Sequence, residues 1–480
     1  MRKRTYFAAM LASMAVTAKS KTQTLNLKEL QAQGVSSLQQ PKSSSAPAQV
    51  YGQIRMEGMQ YFTSIPESPQ LSFSQLLSAR LSALKETSWV DMVADVSGGT
   101  FFSRGQSHFV VHEAYLASHG KTDLKVFLGR KKKDWSELDS HWQLGLWQPK
   151  FAIDALRPEE QGLSGLFVDY NTQGWEILGF ATPIFIPSMG PDIREEGGGL
   201  VADSRWYRAP SRDFALNNRA RKIVYELDIP ETAKLVGNGA VAAMGRLGNK
   251  EAGGWVVASG GYLPVNELIL KRKIIMDASQ VDADVTVSPD VTYHTVFSTD
   301  VGYTFANSVK ASLSYLQDNP LVKHAESEDW AIQKLMPLQA YSASVDFSLH
   351  NIFSKTLAFQ IAYLKVEGGG IEDIRSKGEP DDMTLFDQRL KFTNALSFSV
   401  EGQLASFFRR PFVTRFKYLY DYDQRGSLLN TEFLYYPSQK WAVVMGGDIL
   451  GVQDESYNPS SFLNQYRAND RVYGGMTYVF

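Results

Sequence analysis

The last ten residues, RVYGGMTYVF (471–480), decide the fold. Counted back from the end, every second residue is apolar, aromatic or glycine: Phe480, Tyr478, Met476, Gly474 and Val472. The residues between them are smaller or more polar. Because side chains alternate between the two faces of a strand, this ending predicts a strand with one apolar and one polar face.

The segment FVTRFKYLYDYD (412–423) repeats the alternation over a longer stretch. Its apolar face carries Phe412, Thr414, Phe416, Tyr418, Tyr420 and Tyr422, and its other face is mostly charged. Segments 340–350, 355–363 and 290–305 alternate in the same way. A soluble sandwich turns such an apolar face inward, whereas a membrane barrel turns it to lipid. Alternation alone therefore leaves both a soluble secreted β-protein and a membrane barrel open.

The connections between strands favour the membrane barrel. From residue 290 onward, short connections flanked by aromatic residues alternate with long hydrophilic ones. The short ones include 170–175, 303–308, 350–355 and 435–441, and the long ones run over roughly 131–162, 186–220, 318–339, 366–386 and 452–468. Outer-membrane barrels have short periplasmic turns, long extracellular loops and aromatic girdles at both interfaces. A soluble sandwich has no reason to sort its loops by length.

The N-terminus is typical of a secretory signal peptide. Three basic residues precede the apolar run 6–16, and Val16-Thr17-Ala18 fits a cleavage site. We therefore predict a signal peptide over 1–18, a flexible periplasmic tail over 19–49, and a single barrel over 50–480. The tail is too short for a plug domain. The chain has 480 residues, a formal net charge of -2 and no cysteine, which argues against nucleic-acid binding, disulfides and Cys-ligated zinc.

Counting strand-length segments back from Phe480 gives about twenty, with the stretch 221–290 ambiguous. That stretch includes the candidate strands 221–229 and 268–277. Because a sheet can span lipid only when every edge is paired, the last strand must close on the first. The sequence therefore predicts an all-β fold: a single transmembrane antiparallel β-barrel of about 16–20 strands, with an even strand number.

The chain ending resembles the C-terminal signature of Gram-negative outer-membrane β-barrel proteins, which is a terminal Phe preceded by alternate apolar or aromatic residues. Phe480, Tyr478 and Met476 match it. In addition, LKVFLGRKKKDW (124–135) resembles the porin strand that carries Gly-Arg just before its loop. The resemblance implies a bacterial outer-membrane protein of the porin class, folded by the barrel-assembly machinery and surrounded by lipid and lipopolysaccharide. It implies passage of small hydrophilic solutes without a cofactor. Porins are commonly trimers, although no residue here demonstrates a homo-oligomer.

Alternation places a set of charged side chains on the inner face of the predicted barrel. These candidate pore-lining residues are Arg415, Lys417, Asp421, Asp423, Asp387, Arg389, Lys391, Glu432 and Asp346. Rings of charge set what passes through a pore. The alternative is that they simply solvate a polar lumen. Because their signs are mixed, the sequence predicts no strong ion selectivity.

The segment 130–165 is a candidate constriction loop. Its opposed charges are Arg130, Lys131, Lys132, Lys133, Glu137, Asp139, Glu159 and Glu160. Its three tryptophans, Trp135, Trp142 and Trp147, favour burial inside the barrel mouth over exposure to water. An ordinary surface loop remains the alternative. A second long loop, 183–214, contains prolines typical of an ordered cap.

Nothing in the sequence indicates an enzyme or a metal site. The motifs GxSxG, HExxH, CxxC and the P-loop are absent. His108 and His112 share a predicted strand face, but about 13 Å separates residues four apart on a strand, which is too far to chelate one ion. Three functions stay open: a porin-like channel, a non-conducting barrel that anchors the envelope or binds a surface partner, and a specific channel for an anionic solute or polysaccharide.

Overall fold

The chain forms one antiparallel barrel of 18 strands. The structure is a computed structural model that describes residues 48–64, 69–120, 123–216, 219–275, 283–305, 309–324, 327, 329–352, 355–375, 389–408 and 410–480. The predicted signal peptide, nearly all of the predicted tail, and Asp387 lie outside these residues. The fold class predicted from the sequence is confirmed.

Each barrel strand pairs with the strands that precede and follow it in the barrel. The strands are β1 Gln49–Tyr61, β2 Phe73–Glu86, β3 Val90–Phe101, β4 Gln106–Ser118, β5 Leu124–Lys131, β6 Leu163–Asn171, β7 Trp175–Thr182, β8 Ala240–Asn249, β9 Ala252–Pro264, β10 Tyr293–Phe305, β11 Val309–Pro320, β12 Leu338–Ile352, β13 Lys355–Gly368, β14 Asn394–Phe407, β15 Arg410–Asp421, β16 Gly426–Tyr435, β17 Trp441–Val452 and β18 Arg471–Val479.

The two ends of the barrel differ in the length of their connections. The end that carries the start of β1 and the terminal Phe480 has only short turns, such as 172–174 and 250–251. The opposite end carries the long connections, including 132–162 and 183–239. We call these the turn end and the loop end. The sorting predicted from the sequence is therefore confirmed, and it is the pattern of an outer-membrane barrel.

Alternate side chains on the barrel strands are exposed, large and apolar. They include Ile54, Leu81, Leu128, Val168, Val256, Phe297, Leu313, Val345, Ile361, Tyr418, Met445 and Met476. An exposed apolar surface that encircles a soluble protein would drive aggregation. Lipid satisfies it, so the barrel is a transmembrane β-barrel with this face outward. Separately, no helix among the described residues is long and apolar enough to cross a membrane.

The loop end carries further short elements. Strands Asp213–Leu216, Arg219–Leu227, Ile269–Ile275, Ala283–Asp290, Trp330–Leu335 and Ile371–Arg375 form a six-stranded sheet above the barrel. Other pieces are the strands Lys150–Phe151, Glu159–Glu160, Ile193–Glu196 and Gly199–Ala202, the α-helices Glu137–Trp142, Thr232–Val236 and Phe462–Gln465, and the 3₁₀ turns Pro69–Ser72 and Arg467–Asn469.

This sheet corrects the strand list made from the sequence. The candidate barrel strands 221–229 and 268–277 correspond to Arg219–Leu227 and Ile269–Ile275, which pair with Ala283–Asp290 in the sheet and not with the barrel. They were misassigned because their β-branched residues are buried in local clusters of the sheet, where Ile223, Val285 and Val287 pack together.

The barrel closes where β18 pairs with β1. Nine residue pairs, from Gln53 with Val479 to Tyr61 with Arg471, form this seam. Phe480 extends it, because its amide N–H donates to the Gly52 carbonyl at 2.9 Å and its carbonyl accepts from the Gly52 N–H at 3.0 Å. Phe480 and Met476 are half-exposed on the lipid face. Their recognition by the assembly machinery stays a prediction.

Gly52 is the position at which a side chain would meet the terminal ring. A Cβ added there overlaps the Phe480 ring, whereas one added at Gly58, on the same strand face, lies 3.7 Å from its nearest neighbour. We expect Gly52→Val to displace Phe480 and to lower the folded yield several-fold, with Gly58→Val as the matched control. The yield is measured as the heat-modifiable fraction on SDS gels after folding into vesicles. Equal yields would contradict this account of the seam.

Candidate functional site

The inner face of the barrel is polar and largely buried. Its buried polar side chains include Glu57, Ser82, Asp95, Glu176, Ser259, Ser298, Asp300, Asp318, Ser342, Ser397, Asp448 and Arg471. Buried polar groups require partners. Many of these find theirs in residues 132–162, the connection between β5 and β6, which we call the inward loop.

The inward loop has a compact, self-supporting start. Ser136 caps the helix Glu137–Trp142 by accepting a hydrogen bond from Asp139 N at 3.4 Å, and Gln143 ends the helix in a left-handed conformation. The Asp139 carboxylate then accepts from Leu146 N and Trp147 N, both at 3.0 Å. Burial raises the pKa of Asp139, although these hydrogen bonds oppose the shift. The chain therefore turns back on itself around one buried carboxyl group.

The tryptophans of the loop are buried among wall residues. Trp135 and Trp147 stack with ring centroids 5.2 Å apart, and both are 1% exposed. The Trp135 carbonyl accepts from Ser259 Oγ at 2.6 Å and from Ser298 Oγ at 3.1 Å. Trp142 donates its indole N–H to Ser342 Oγ at 3.0 Å. The loop is thus packed against β9, β10 and β12.

A charged contact fixes the same part of the loop. Glu137 accepts from Lys310 Nζ at 2.7 Å and lies 3.1 Å from Lys250 Nζ. Its backbone N–H donates to Asp300 Oδ2 at 3.0 Å. Two cations therefore surround one carboxylate on this wall of the lumen.

The other end of the loop reaches the barrel seam. Asp154 lies 2.7 Å from Arg471 on β18. Arg157 contacts Glu57 on β1 at 3.1 Å and Asp448 on β17 at 3.2 Å. Burial raises the pKa of Asp154, but the two arginines outweigh it and hold the pKa below its ordinary value. Since β9–β12 and β17–β1 lie on different sides of the barrel, the loop crosses the lumen.

The remaining residues predicted for the constriction loop lie at its two roots. Arg130 is buried and donates to the Gly162 carbonyl at 3.0 Å and to Gln161 Oε1 at 2.5 Å. Lys131 lies over the Tyr115 and Phe127 rings. Lys133 pairs with Glu176, and Glu159 lies 3.1 Å from His112 Nε2.

Lys132 and Glu160 are partly buried at the same roots. Burial lowers the pKa of Lys132, and its backbone N–H donates to Glu113 at 2.8 Å. Burial, with Asp139 and Asp134 nearby, raises the pKa of Glu160 to about 7. The structure therefore brings the predicted charges together as partners of the wall, and only some of them face water.

The predicted pore-lining residues divide into three groups. On the wall, Arg415 pairs with Glu432 at 2.7 Å and with Glu401 at 3.2 Å, and Asp346 accepts from Gln360 at 2.6 Å. Lys417 shares the strand face of Arg415. These side chains lie on the inner face of the barrel wall, and their role in lining a pore stays a prediction.

Asp421 and Asp423 organise the loop end. Asp421 is fully buried and accepts from the backbone N–H groups of Thr393 and Gln424, both at 2.9 Å. Asp423, which follows β15, accepts from Asn394 Nδ2 at 2.9 Å.

Arg389 and Lys391 precede β14 and are buried under loops. Arg389 lies 2.6 Å from Asp318. Lys391 donates to the Ala155 carbonyl of the inward loop. Burial, with Lys150 nearby, lowers the pKa of Lys391 to about 7.

Sequence reasoning missed the charges nearest the seam. Arg80 on β2 donates to Asp95 on β3 at 2.7 Å, Arg55 pairs with Glu57, and Arg157 joins the same wall. Alternation within β1–β3 could have found Arg55, Arg80 and Asp95. Arg157 carried no signal, because loop residues have no strand periodicity.

Among the described residues, no group of three or more His, Cys, Asp or Glu side chains could hold a metal ion.

Comparison with known proteins adds only solved structures of low similarity. No protein-family model and no curated protein matches the chain. OpdQ of Pseudomonas aeruginosa is 11% identical with a TM-score of 0.46, covering 91% of this chain and 99% of that one. OccAB4 of Acinetobacter baumannii is 9% identical with a TM-score of 0.45, covering 92% and 100%. OmpT lacking loop L8, an outer membrane protein of Vibrio cholerae, is 11% identical with a TM-score of 0.40, covering 90% and 99%.

Arg471 holds the inward loop to the seam. We expect Arg471→Met to cost about 3–5 kcal/mol, because Asp154 loses its ion-pair partner and the buried Asp448 keeps only Arg157 of its two arginines. The exposed Arg194→Met should cost much less, because solvent screens the contacts of Arg194 with Asp203 and Glu196. Urea unfolding in vesicles measures both. The triple variant Asp154→Asn/Asp448→Asn/Arg471→Met should recover most of the lost stability. An Arg471→Met protein as stable as Arg194→Met would contradict the role of Arg471 in holding the inward loop to the seam.

Glu160 predicts a pH dependence. Its pKa of about 7 lies above the ordinary value of 4.5, so the folded state binds the proton more tightly than the unfolded state. Its contribution to stability is complete at pH values below the ordinary pKa and is lost as the pH rises to about 7. We expect the thermal midpoint of Glu160→Gln, relative to wild type, to rise across this window. The exposed Glu231→Gln should run parallel to wild type, and a parallel Glu160→Gln curve would contradict the burial.

Proposed function

We propose that the protein is an outer-membrane channel for passive diffusion of small hydrophilic solutes, and that its lumen favours anions. The observation that carries the preference is the unequal exposure of the partners in the ion pairs of the wall. Arg80 is 29% exposed and its partner Asp95 is 3%. Arg157 is 30% exposed, and its partners Glu57 and Asp448 are 2% and 1%.

The same asymmetry recurs around the barrel. Lys133 and Arg246 are each more exposed than Glu176, their shared carboxylate. Lys250 and Lys310 are each more exposed than Glu137. A water-borne solute therefore meets guanidinium and ammonium groups, with the carboxylates behind them. Two groups depart from this asymmetry: the acids Glu401 and Glu432 are about as exposed as Arg415, and Arg471 is 0% exposed while its partner Asp154 is 19%.

A count of formal charges does not show this preference, because the positive and negative charges of the ion pairs balance. An exposed charge acts on a solute over about 8–10 Å in physiological salt. A charge-lined narrow passage beside low-dielectric walls concentrates the oppositely charged ion. The anion preference should therefore be strongest in dilute salt.

The non-conducting barrel is the second candidate, because the inward loop spans the lumen. The partial exposure of Arg55, Arg80, Arg157 and Arg415 on the inner face supports water beside the loop. A specific anionic solute or polysaccharide is a narrower form of the channel proposal, and the asymmetry of the ion pairs favours it over a cationic solute.

Planar-bilayer recording tests the proposal. In a tenfold KCl gradient we expect open-channel current steps. The reversal potential of this current should be shifted toward the equilibrium potential of chloride. The variant Arg80→Gln/Asp95→Asn removes a lumen pair without leaving a buried charge and should move the reversal potential toward zero. Arg194→Gln/Asp203→Asn removes an exposed loop pair, 43% and 37% exposed, and should change nothing. A wild-type protein that gives no current would favour the non-conducting barrel. A wild-type protein that selects cations would contradict the anion preference.

A further inference from the structure

A small polar cavity lies between the inward loop and the barrel wall. Leu144, Gly145 and Leu146 of the inward loop line one side. The other side is formed by His294 at the start of β10, by Arg389, and by Asn266 and Glu267, which follow β9. Asn266 Nδ2 donates to the Gly145 carbonyl at 2.9 Å, which fixes the loop over the cavity.

Two polar side chains that line the cavity are incompletely satisfied. His294 is fully buried, and the Arg389 side chain is 3% exposed. Asp318 holds the far side of both, through a contact with His294 Nδ1 and a 2.6 Å contact with Arg389 Nη2. Within the described part of the chain, His294 Nε2 and Arg389 Nη1 have no hydrogen-bond partner.

Leaving a guanidinium N–H and an imidazole nitrogen buried without partners is unfavourable, and more so where the group is charged. A group in the cavity would remove this cost. With His294 neutral, Asp318 and Arg389 already balance, and a water molecule that donates to Nε2 and accepts from Nη1 fits. With His294 protonated, both nitrogens are donors and the trio carries one positive charge, so an anion fits.

We propose that this cavity binds one small inorganic anion of about chloride size, taken up together with a proton on His294. The cavity is too small for a larger solute, and the anion restores neutrality to Asp318, Arg389 and protonated His294. Bound there, it would hold residues 144–146 of the inward loop against the wall. This site is separate from the exposed charges on the lumen wall. A barrel that conducts no ions would therefore still bind the anion at this site.

Linkage gives the proposal a direction in pH. If the anion prefers protonated His294, halide binding tightens as the pH falls. The charged groups that face His294 and the cavity are Asp318 on β11, Arg389 before β14, and Glu267 after β9. The inward loop contributes Lys150, whose Nζ donates to the Leu144 carbonyl at 2.8 Å beside Gly145, and Asp139, whose carboxylate accepts from Leu146 N at 3.0 Å.

The direct test is diffraction from crystals of the full chain grown in sodium bromide at pH 5.5. We expect one anomalous peak within hydrogen-bonding distance of both Arg389 Nη1 and His294 Nε2. A cavity with no bromide, or with only a water molecule at this pH, would overturn the proposal.

Thermal unfolding with bromide exchanged for gluconate at constant ionic strength gives the second test. We expect bromide to raise the midpoint at pH 5.5 and to have a smaller effect at pH 8. Arg389→Gln should raise the bromide concentration for half effect at least tenfold, whereas the wall variant Arg415→Gln should leave it unchanged. If Arg389→Gln does not fold, His294→Gln serves, because it should remove the pH dependence. Equal bromide responses in the cavity variant and in Arg415→Gln would contradict the site.

Discussion

The rest of the structure depends on one constraint: in lipid, no strand edge can remain unpaired. Hydrocarbon offers no hydrogen bonds to backbone N–H and C=O groups, so a spanning sheet must close. Here the last strand meets that requirement with the first, and the chain ends on Phe480, paired with Gly52. A closed antiparallel barrel whose chain enters and leaves at the same end has an even number of strands, and its connections alternate between the two ends. Its outer face is apolar because that face meets lipid.

The interior carries the complementary requirement. Turning apolar side chains outward leaves polar ones inside, and a buried charge is tolerated only when it is paired and hydrogen-bonded. The inward loop supplies many of those partners, from Glu137 near β10 and β11 to Asp154 and Arg157 at the seam. The same loop narrows the lumen. If the proposed anion preference holds, the ion pairs that satisfy the buried charges also set selectivity, because in most of them the cation is more exposed than the carboxylate.

The sequence predicted what strand periodicity controls. The outward positions of Tyr418 and Met476 and the inward position of Arg415 follow from a period of two, and the loop sorting follows from the lengths of the connections. The sequence could not separate the barrel from the six-stranded sheet at the loop end, since Arg219–Leu227 and Ile269–Ile275 are genuine strands that pair within that sheet. It also could not rank exposure within a pair such as Arg80 and Asp95, because that depends on which atoms cover the carboxylate.

Because the chain contains no cysteine, single thiols can map the two faces of one strand directly. Ser78 and Ala79 are adjacent on β2 and alternate between the lumen and lipid. Current through the inserted protein is recorded while a charged, water-soluble thiol reagent is added. The account predicts that Ser78→Cys reacts and loses current, faster with an anionic than with a cationic reagent, while Ala79→Cys is silent. Equal reactivity at both positions, or unchanged current at Ser78→Cys, would contradict a water-filled lumen within a lipid-facing barrel.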